Sequence, residues 1–307
     1  VSRSTISTFQ LFEMFPDEAA ARVYIEKRRW PEGAICPDCG EAKRIGARKN
    51  GFYRCNACKL DFTCRTGTIF GRSHIPLHKW IYAMYLLVTA RKGISSLQLG
   101  KEIGVTQKSA WFMLQRIREA CGNDLSVLSG IVEIDECYVG GKEANKHGHK
   151  KLHAGRGAVG KVPVLGMRER GKGGRTKAGP VTGTDRETLQ AVIHANVAPG
   201  STVHTDEHGG YHGIGGLFYK HEAINHGAGE YVRDGVTTNS IESVWAVMKR
   251  GIYGVYHHTS EKHLARYVDE FTFRLNDGDV KRHTLDRLAS LMSASFGPRL
   301  TYKDLTA

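Results

Sequence analysis

The sequence predicts an α/β protein, a mixed sheet flanked by helices, preceded by a zinc ribbon and a helix-turn-helix. Three observations predict it. Four cysteines fall in two C-x-x-C pairs near the start. Helix-patterned segments fill residues 75–122. From Ile131 the texture changes to short β-branched runs, which come first and then alternate with helical ones. With 307 residues the chain exceeds one average core. The divisions this suggests are 1–70 (helical lead-in and ribbon), 71–124 (helix-turn-helix), 125–280 (α/β domain) and 281–307 (helical tail).

In the lead-in, apolar residues recur at helical spacing from Ala19 to Trp30, and Pro31 and Gly33 end the pattern. Cys36 and Cys39 form the first pair and Cys55 and Cys58 the second, with 15 residues between Cys39 and Cys55. Each C-x-x-C turn aims two thiolates at one point, which suits tetrahedral Zn²⁺. Four thiolates leave no open position, so the expected role is structural. A redox role for either pair is the alternative. Seven cysteines, an odd number, point away from a disulfide framework and toward a reducing cytoplasm. Cys64, Cys121 and Cys137 read as buried thiols.

The segment "GISSLQLGKEIGVTQKSAWFMLQRIREAC" predicts two helices, the first capped by Ser95 or Ser96 and the second by Thr106, with Gly104 in the turn. Such a pair is a helix-turn-helix, or else a helical hairpin of an ordinary core. On the first reading the early residues of the second helix, Gln107 and Lys108, face bases or phosphates. Downstream, "IVEIDECYVGG", "KVPVLGMRER", "GPVTGT", "STVHTDEHGGY" and "YKHEAINHG" read as strands. "RETLQAVIHANV", "NSIESVWAVMKRGI", "SEKHLARYVDEFTFRLN" and "TLDRLASLMSA" read as helices, the last followed by a loose end.

A net charge of +13 favours polyanions, and nucleic acid before membrane, because no basic amphipathic helix stands out. Between Gly140 and Lys177 eleven Lys or Arg face two acids, Glu143 and Glu169. That segment reads either as a phosphate-binding loop or as a solvated Gly-rich one. No apolar run reaches 18 residues, and the first residues lack a basic stretch followed by an apolar signal core. Both features argue against a membrane span or secretion.

The acidic residues carry the chemistry. On the strand "IVEIDECYV", period two sets Glu133 and Asp135 on one face. Either that face meets solvent, or the two acids are buried at a cost that a divalent cation would offset. Asp206 stands at the end of another strand, before a Gly-Gly turn. In "TTNSIESVWAVMKRGI", Asn239 and Glu242 have the spacing of a capping box. Glu242 and Lys249 share the polar face, two turns apart, opposite Ile241, Val244, Trp245, Met248 and Ile252.

The order Asp135, Asp206, Glu242, with 35 residues between the last two and Lys249 seven beyond, resembles the DDE transposases and integrases. The wording "EIDECYVGGK", "HTDEHGGY", "TNSIESVWAVMKRGIYGVYHH" and "HLARYVDEFTFRLN" is similar to bacterial insertion-sequence transposases with a zinc ribbon, related to Merlin transposons. It extends from about Phe9 to Asn276. The resemblance implies a ribonuclease-H-like domain that binds Mg²⁺ or Mn²⁺, with Asp135 shared by two ions and Asp206 and Glu242 each holding one. In this group the third position is read as Glu or as an Asn just before it. Both occur here, as Glu242 and Asn239, and Glu242 is favoured because a hard anion binds Mg²⁺ better than an amide.

The implied activity is strand cleavage at transposon ends and transfer into target DNA. The implied partners are terminal inverted repeats and target DNA. Synapsis of two ends calls for at least a dimer, in the bacterial cytoplasm on the nucleoid. Lys249 and Arg250 would contact phosphate, and His204, His208, His257 and His258 are further candidates. Glu270 and Arg274 read as a helix-surface pair or as active-site support. Competing readings are a ribonuclease-H-like nuclease or resolvase without joining, and a non-enzymatic regulator that uses only the ribbon and helix-turn-helix.

Overall fold

The computed structural model describes residues 5–122, 124–141, 143–152, 158–171, 173–216, 218–225, 232–233 and 235–306. Lys142, Arg156 and Lys172 of the basic segment lie outside them. The chain forms two compact units, one of residues 1–123 with 277–307 and one of 124–276.

The first unit starts with α1 (Thr8–Met14) and α2 (Glu18–Arg29). Ser7 and Gln10 form a capping box on α1, and Asp17 caps α2. Next comes a small antiparallel sheet, β1 (Ile45–Ala47), β2 (Tyr53–Cys55) and β3 (Asp61–Phe62). Tyr53 and Phe62 stack and Trp30 meets both edge-on, with ring centroids 5.5–5.7 Å apart, giving the ribbon an aromatic core. The helices α3 (Leu77–Thr89), α4 (Ser96–Ile103) and α5 (Gln107–Cys121) follow. Ser95 caps α4, Gly104 takes the left-handed conformation that ends it, and Thr106 caps α5. Leu99, Ile103, Ala110, Met113, Leu114 and Ile117 are buried.

Residues 277–307 are part of this unit: the helix expected in "TLDRLASLMSA" is present, and the stretch after it is not a loose end. In α9 (Thr284–Ala294), Leu288, Leu291 and Met292 are fully buried, and α9 packs on α2, α3 and α5. The buried Arg287 donates to the carbonyl of Val88 at the end of α3. Leu300 and Leu305, the latter in α10 (Tyr302–Thr306), are buried too. The apolar spacing of this stretch is too short to reveal such docking by itself.

The second unit is a five-stranded mixed sheet ordered β6-β5-β4-β7-β8. Its strands are β4 (Ile131–Val139), β5 (Val162–Glu169), β6 (Thr176–Pro180), β7 (Thr202–Thr205) and β8 (Lys220–Ala223). The first three are antiparallel neighbours, whereas β4-β7 and β7-β8 run parallel. The helices are α6 (Arg186–Asn196), α7 (Asn239–Gly251) and α8 (Glu261–Leu275). The strand expected in "GPVTGT" lies earlier in the chain, at Thr176–Pro180. The edge position tolerates Pro180, and the chain then turns toward Asp185, which caps α6.

This hairpin also redefines the basic segment. Arg168 donates to Thr176, Arg170 pairs with Glu133, Arg175 with Asp124, and Lys177 bonds to Asn196. Four cations that composition alone makes available to a polyanion are thus engaged within the fold.

Candidate active site

Alternation along β4 sends its side chains to two faces. Cys137 and Val139 pack with Ile241, Val244, Trp245 and Met248 of α7 and with α8 residues. Val132 and Ile134 pack with Leu189, Ile193 and Tyr211 in a second core on the opposite face. By parity Glu133 and Asp135 belong to the α7 face and Glu136 to the other.

Asp135 accepts a hydrogen bond from Trp245 Nε1 at 2.8 Å. The indole gets there because Gly166, paired with Asp135 on β5, carries no side chain, and a Cβ at that position would run into the Trp245 ring. Burial pushes the Asp135 carboxyl up to about 7, the Trp245 N–H opposes this, and the carboxylates of Glu136 and Asp206 add to it. A cation bound here must displace a proton below that pH. Mn²⁺ affinity measured by calorimetry is therefore expected to fall about tenfold from pH 8 to pH 6. A pH-independent affinity would contradict a metal at Asp135.

Asp206 directly follows β7. The last β4-β7 pair is Glu133 with His204, so continuing the parallel register by two residues leads Asp206 toward Asp135, and its carboxylate is near enough to act on that of Asp135. Asp206 Oδ1 accepts the His208 N–H at 3.0 Å, which shapes the turn. The same turn is tied to β4 from the opposite face: Tyr211 donates to Glu136 Oε2 at 2.5 Å, and His208 Nε2 lies 3.9 Å from Glu136 Oε1. Glu136 and Tyr211 were absent from the sequence-derived candidates. Their signal was weak, namely that a tyrosine in an apolar setting needs a partner for its hydroxyl.

The start of α7 departs from expectation. The cap position is Thr238, with no side-chain cap bond, and Asn239 is the first helical residue, so the Asn239–Glu242 capping box does not form. The Glu242 N–H bonds the Thr238 carbonyl, and its Oε1 accepts the Thr238 hydroxyl at 3.0 Å. The capping acceptor comes from the sheet. Glu133 Oε2 accepts the N–H groups of Ser240 and Ile241 at 2.8 and 3.1 Å, and the Ser240 hydroxyl. Nothing local predicts a cap from 107 residues upstream. The cost of burying Glu133 is thereby offset by helix N–H groups and by Arg170, without a metal ion, which leaves Asp135 as the metal candidate on this face of β4.

Asn239 and Glu242 are exposed, Asp206 and Lys249 are half-buried, and Arg250 is exposed in the last turn of α7. Burial pushes the Cys137 thiol up to about 12, and the nearby Lys249 charge works against it. Past Gly251 the helix continues as a π-helical turn, Ile252–Tyr256, that ends at His257 with φ 60°. His257 and His258 line a cavity of about 400 Å³ with Tyr253, Lys161 and Asn145. His204 is buried with Nε2 3.2 Å from Glu222, a structural place. Glu270 and Arg274 form a buried pair, not a surface one, and Tyr256 donates to Glu270 at 2.6 Å.

In the first unit the Sγ atoms of Cys36, Cys39, Cys55 and Cys58 all lie within 4.8 Å of one another. Two of the separations, Cys36–Cys58 and Cys39–Cys55, are 3.6 Å. A tetrahedral Zn²⁺ with bonds of about 2.3 Å needs thiolates about 3.8 Å apart. The four cysteines therefore suit a closed structural zinc site. Among the described residues no other set of three ligands is gathered so tightly. Asp135, Asp206 and Glu242 are not gathered that tightly. On α5, Gln107 and Lys108 are exposed, but Gln107 donates to Ser96 at 2.9 Å and Lys108 lies 4.9 Å from the Tyr302 ring centroid.

Residues 127–276 match the ISXO2-like transposase domain family, and residues 16–61 match the transposase zinc-ribbon domain family. The chain is 30% identical over 275 residues to a Halobacterium salinarum protein described as an uncharacterized protein in transposable element ISH50. That alignment covers 85% of this chain and 91% of the relative.

Proposed function

Since this chain belongs to the insertion-sequence transposases with a zinc ribbon and an ISXO2-like domain, we propose that it cuts DNA at the ends of its element and joins the freed ends to target DNA. The observation that carries this is the placement of Asp135 on β4 and of Asp206 just past the end of the neighbouring parallel β7, beneath a helix that bears Glu242. The sheet order, three antiparallel strands and then two parallel ones, supports a ribonuclease-H-like reading.

Asp135 would be shared between two Mg²⁺ or Mn²⁺ ions, with Asp206 and Glu242 each on one of them. Bound there, the ions supply Lewis acidity to the phosphate and a nucleophilic water near neutral pH. Lys249 and Arg250, on and beside the polar face of α7, would hold backbone phosphates. No protein nucleophile is required, because the freed 3′-OH attacks the target phosphate itself. The ribbon and the α4–α5 pair, with Gln107 and Lys108, would find the terminal inverted repeats as a helix-turn-helix. Two copies at least would act together, one per end, in the cytoplasm on the nucleoid.

The test is incubation of end DNA with target DNA and Mg²⁺. Cut and joined products are expected, and none in EDTA. Nicks without joining would make the protein a nuclease, and binding without nicking a regulator. The third acid is tested alongside. Glu242→Gln keeps the side-chain shape but loses the charge, so cleavage is expected to fall at least about a hundredfold, with Asn239→Ala within about fivefold of wild type. The reverse pattern would assign the contact to Asn239.

A further inference from the structure

We infer that Glu133 is a positioning residue, whose buried carboxylate sets the height and angle of α7 over β4 and so holds Glu242 in register with Asp135. This rests on the proposal that Asp135 and Glu242 hold metal. Glu133 is 1% exposed, yet it is fully engaged. One oxygen takes the first free N–H groups of α7 and the Ser240 hydroxyl. The other faces Arg170 Nε at 3.2 Å. Arg170 in turn donates to the carbonyl of Gly235, in the segment leading to α7. One carboxylate–guanidinium pair therefore fastens both the approach to the helix and its first turn.

The helix N-terminus carries partial positive charge, which favours an anion there. A carboxylate also accepts along several directions at once, so helix and strand cannot slide without breaking bonds in a dry setting. Glu133 lies two residues before Asp135, about 6.6 Å along the strand. Glu242 follows directly on the two residues whose N–H groups Glu133 holds. Errors of about 1 Å in such a constellation are costly.

Reach and charge can be separated by substitution. Glu133→Gln keeps the length and an accepting oxygen, while Glu133→Asp keeps the charge but is one methylene short of the helix. The readout is Tb³⁺ binding, followed by emission sensitised through Trp245, which lies against Asp135. Titrations are run well below the lowest melting temperature, so that only folded protein is compared. Glu133→Ala and Glu133→Asp are expected to weaken Tb³⁺ binding about tenfold or more, and Glu133→Gln, which keeps an acceptor for the helix N–H groups but gives up the ion pair with Arg170, to weaken it less than either.

Asp restoring affinity better than Gln would show that charge and not reach matters, and would overturn the inference. So would wild-type affinity in Glu133→Ala, including the case where only its melting temperature drops. If Glu133→Ala does not fold, the comparison of Gln with Asp still decides. Asp135→Ala is the control: if it binds Tb³⁺ like wild type, the metal reading itself fails, whatever Glu133 does.

Discussion

Asp135→Asn is expected to reduce strand cleavage on the order of a thousandfold or more, while raising the melting temperature of the metal-free protein at pH 8. The two effects share one cause. Burial holds the Asp135 carboxyl up to about 7, against an ordinary value near 3.9. The unfolded chain gives up this proton at lower pH than the folded one, so the metal-free fold loses stability as pH rises from about 4 to about 7. At pH 8 the buried charge also faces Glu136 and Asp206. Asn removes that charge and still offers Trp245 an acceptor. A rise of about 2–8 °C is expected for a unit of this size, shrinking to nothing at pH 4. Asp206→Asn should match the loss of cleavage. End-DNA binding without metal should stay near wild type in both, as checked by gel shift. Cleavage at wild-type rate in either variant would refute the assignment.

Zinc removal is expected to have the second large effect. The ribbon is three short strands around a few aromatic rings, too little core to hold itself together. Structural zinc contributes roughly 10–16 kcal/mol to such modules near pH 7. Cys55→Ser, or a strong chelator, should release about one zinc per chain by mass spectrometry. Hydrogen exchange should then accelerate throughout 36–62 and stay slow in β4 and β5. End-DNA binding should fall at least about a hundredfold. Cys64→Ser should leave zinc content unchanged, since that buried thiol stands outside the cluster. Retained zinc in Cys55→Ser would remove this residue from the ligand set.

Local chemistry explains what was legible in the sequence. The C-x-x-C pairs, the cap at Ser95 or Ser96, the Thr106 cap and the β-branched strands each act within a few residues, and each is found, with Ser95 as the first cap. The three carboxylates were legible as a pattern because their order and spacing survive without contacts. What stayed hidden is long-range. A capping box was expected at Asn239 because Glu242 lies at the right spacing, but Glu133 reaches the helix first. The tie between Glu136 and Tyr211 spans 75 residues. Arg170 reads as one cation of a basic loop until the hairpin carries it to Glu133. Gly166 has no meaning in the sequence alone, and acquires one where the Trp245 ring occupies its empty side.

The order in which the chain is made gives the division into units a further meaning. The unit of 124–276 is contiguous, whereas the other needs both 1–123 and 277–307. On the ribosome the carboxylate-bearing unit is fully synthesised while its companion still lacks α9 and the buried Leu288, Leu291 and Met292. A gene copy broken near its 3′ end would therefore encode Asp135, Asp206 and Glu242 without a finished copy of the unit proposed to find DNA ends. Such decayed copies would have little capacity to compete with intact ones at the element's own termini.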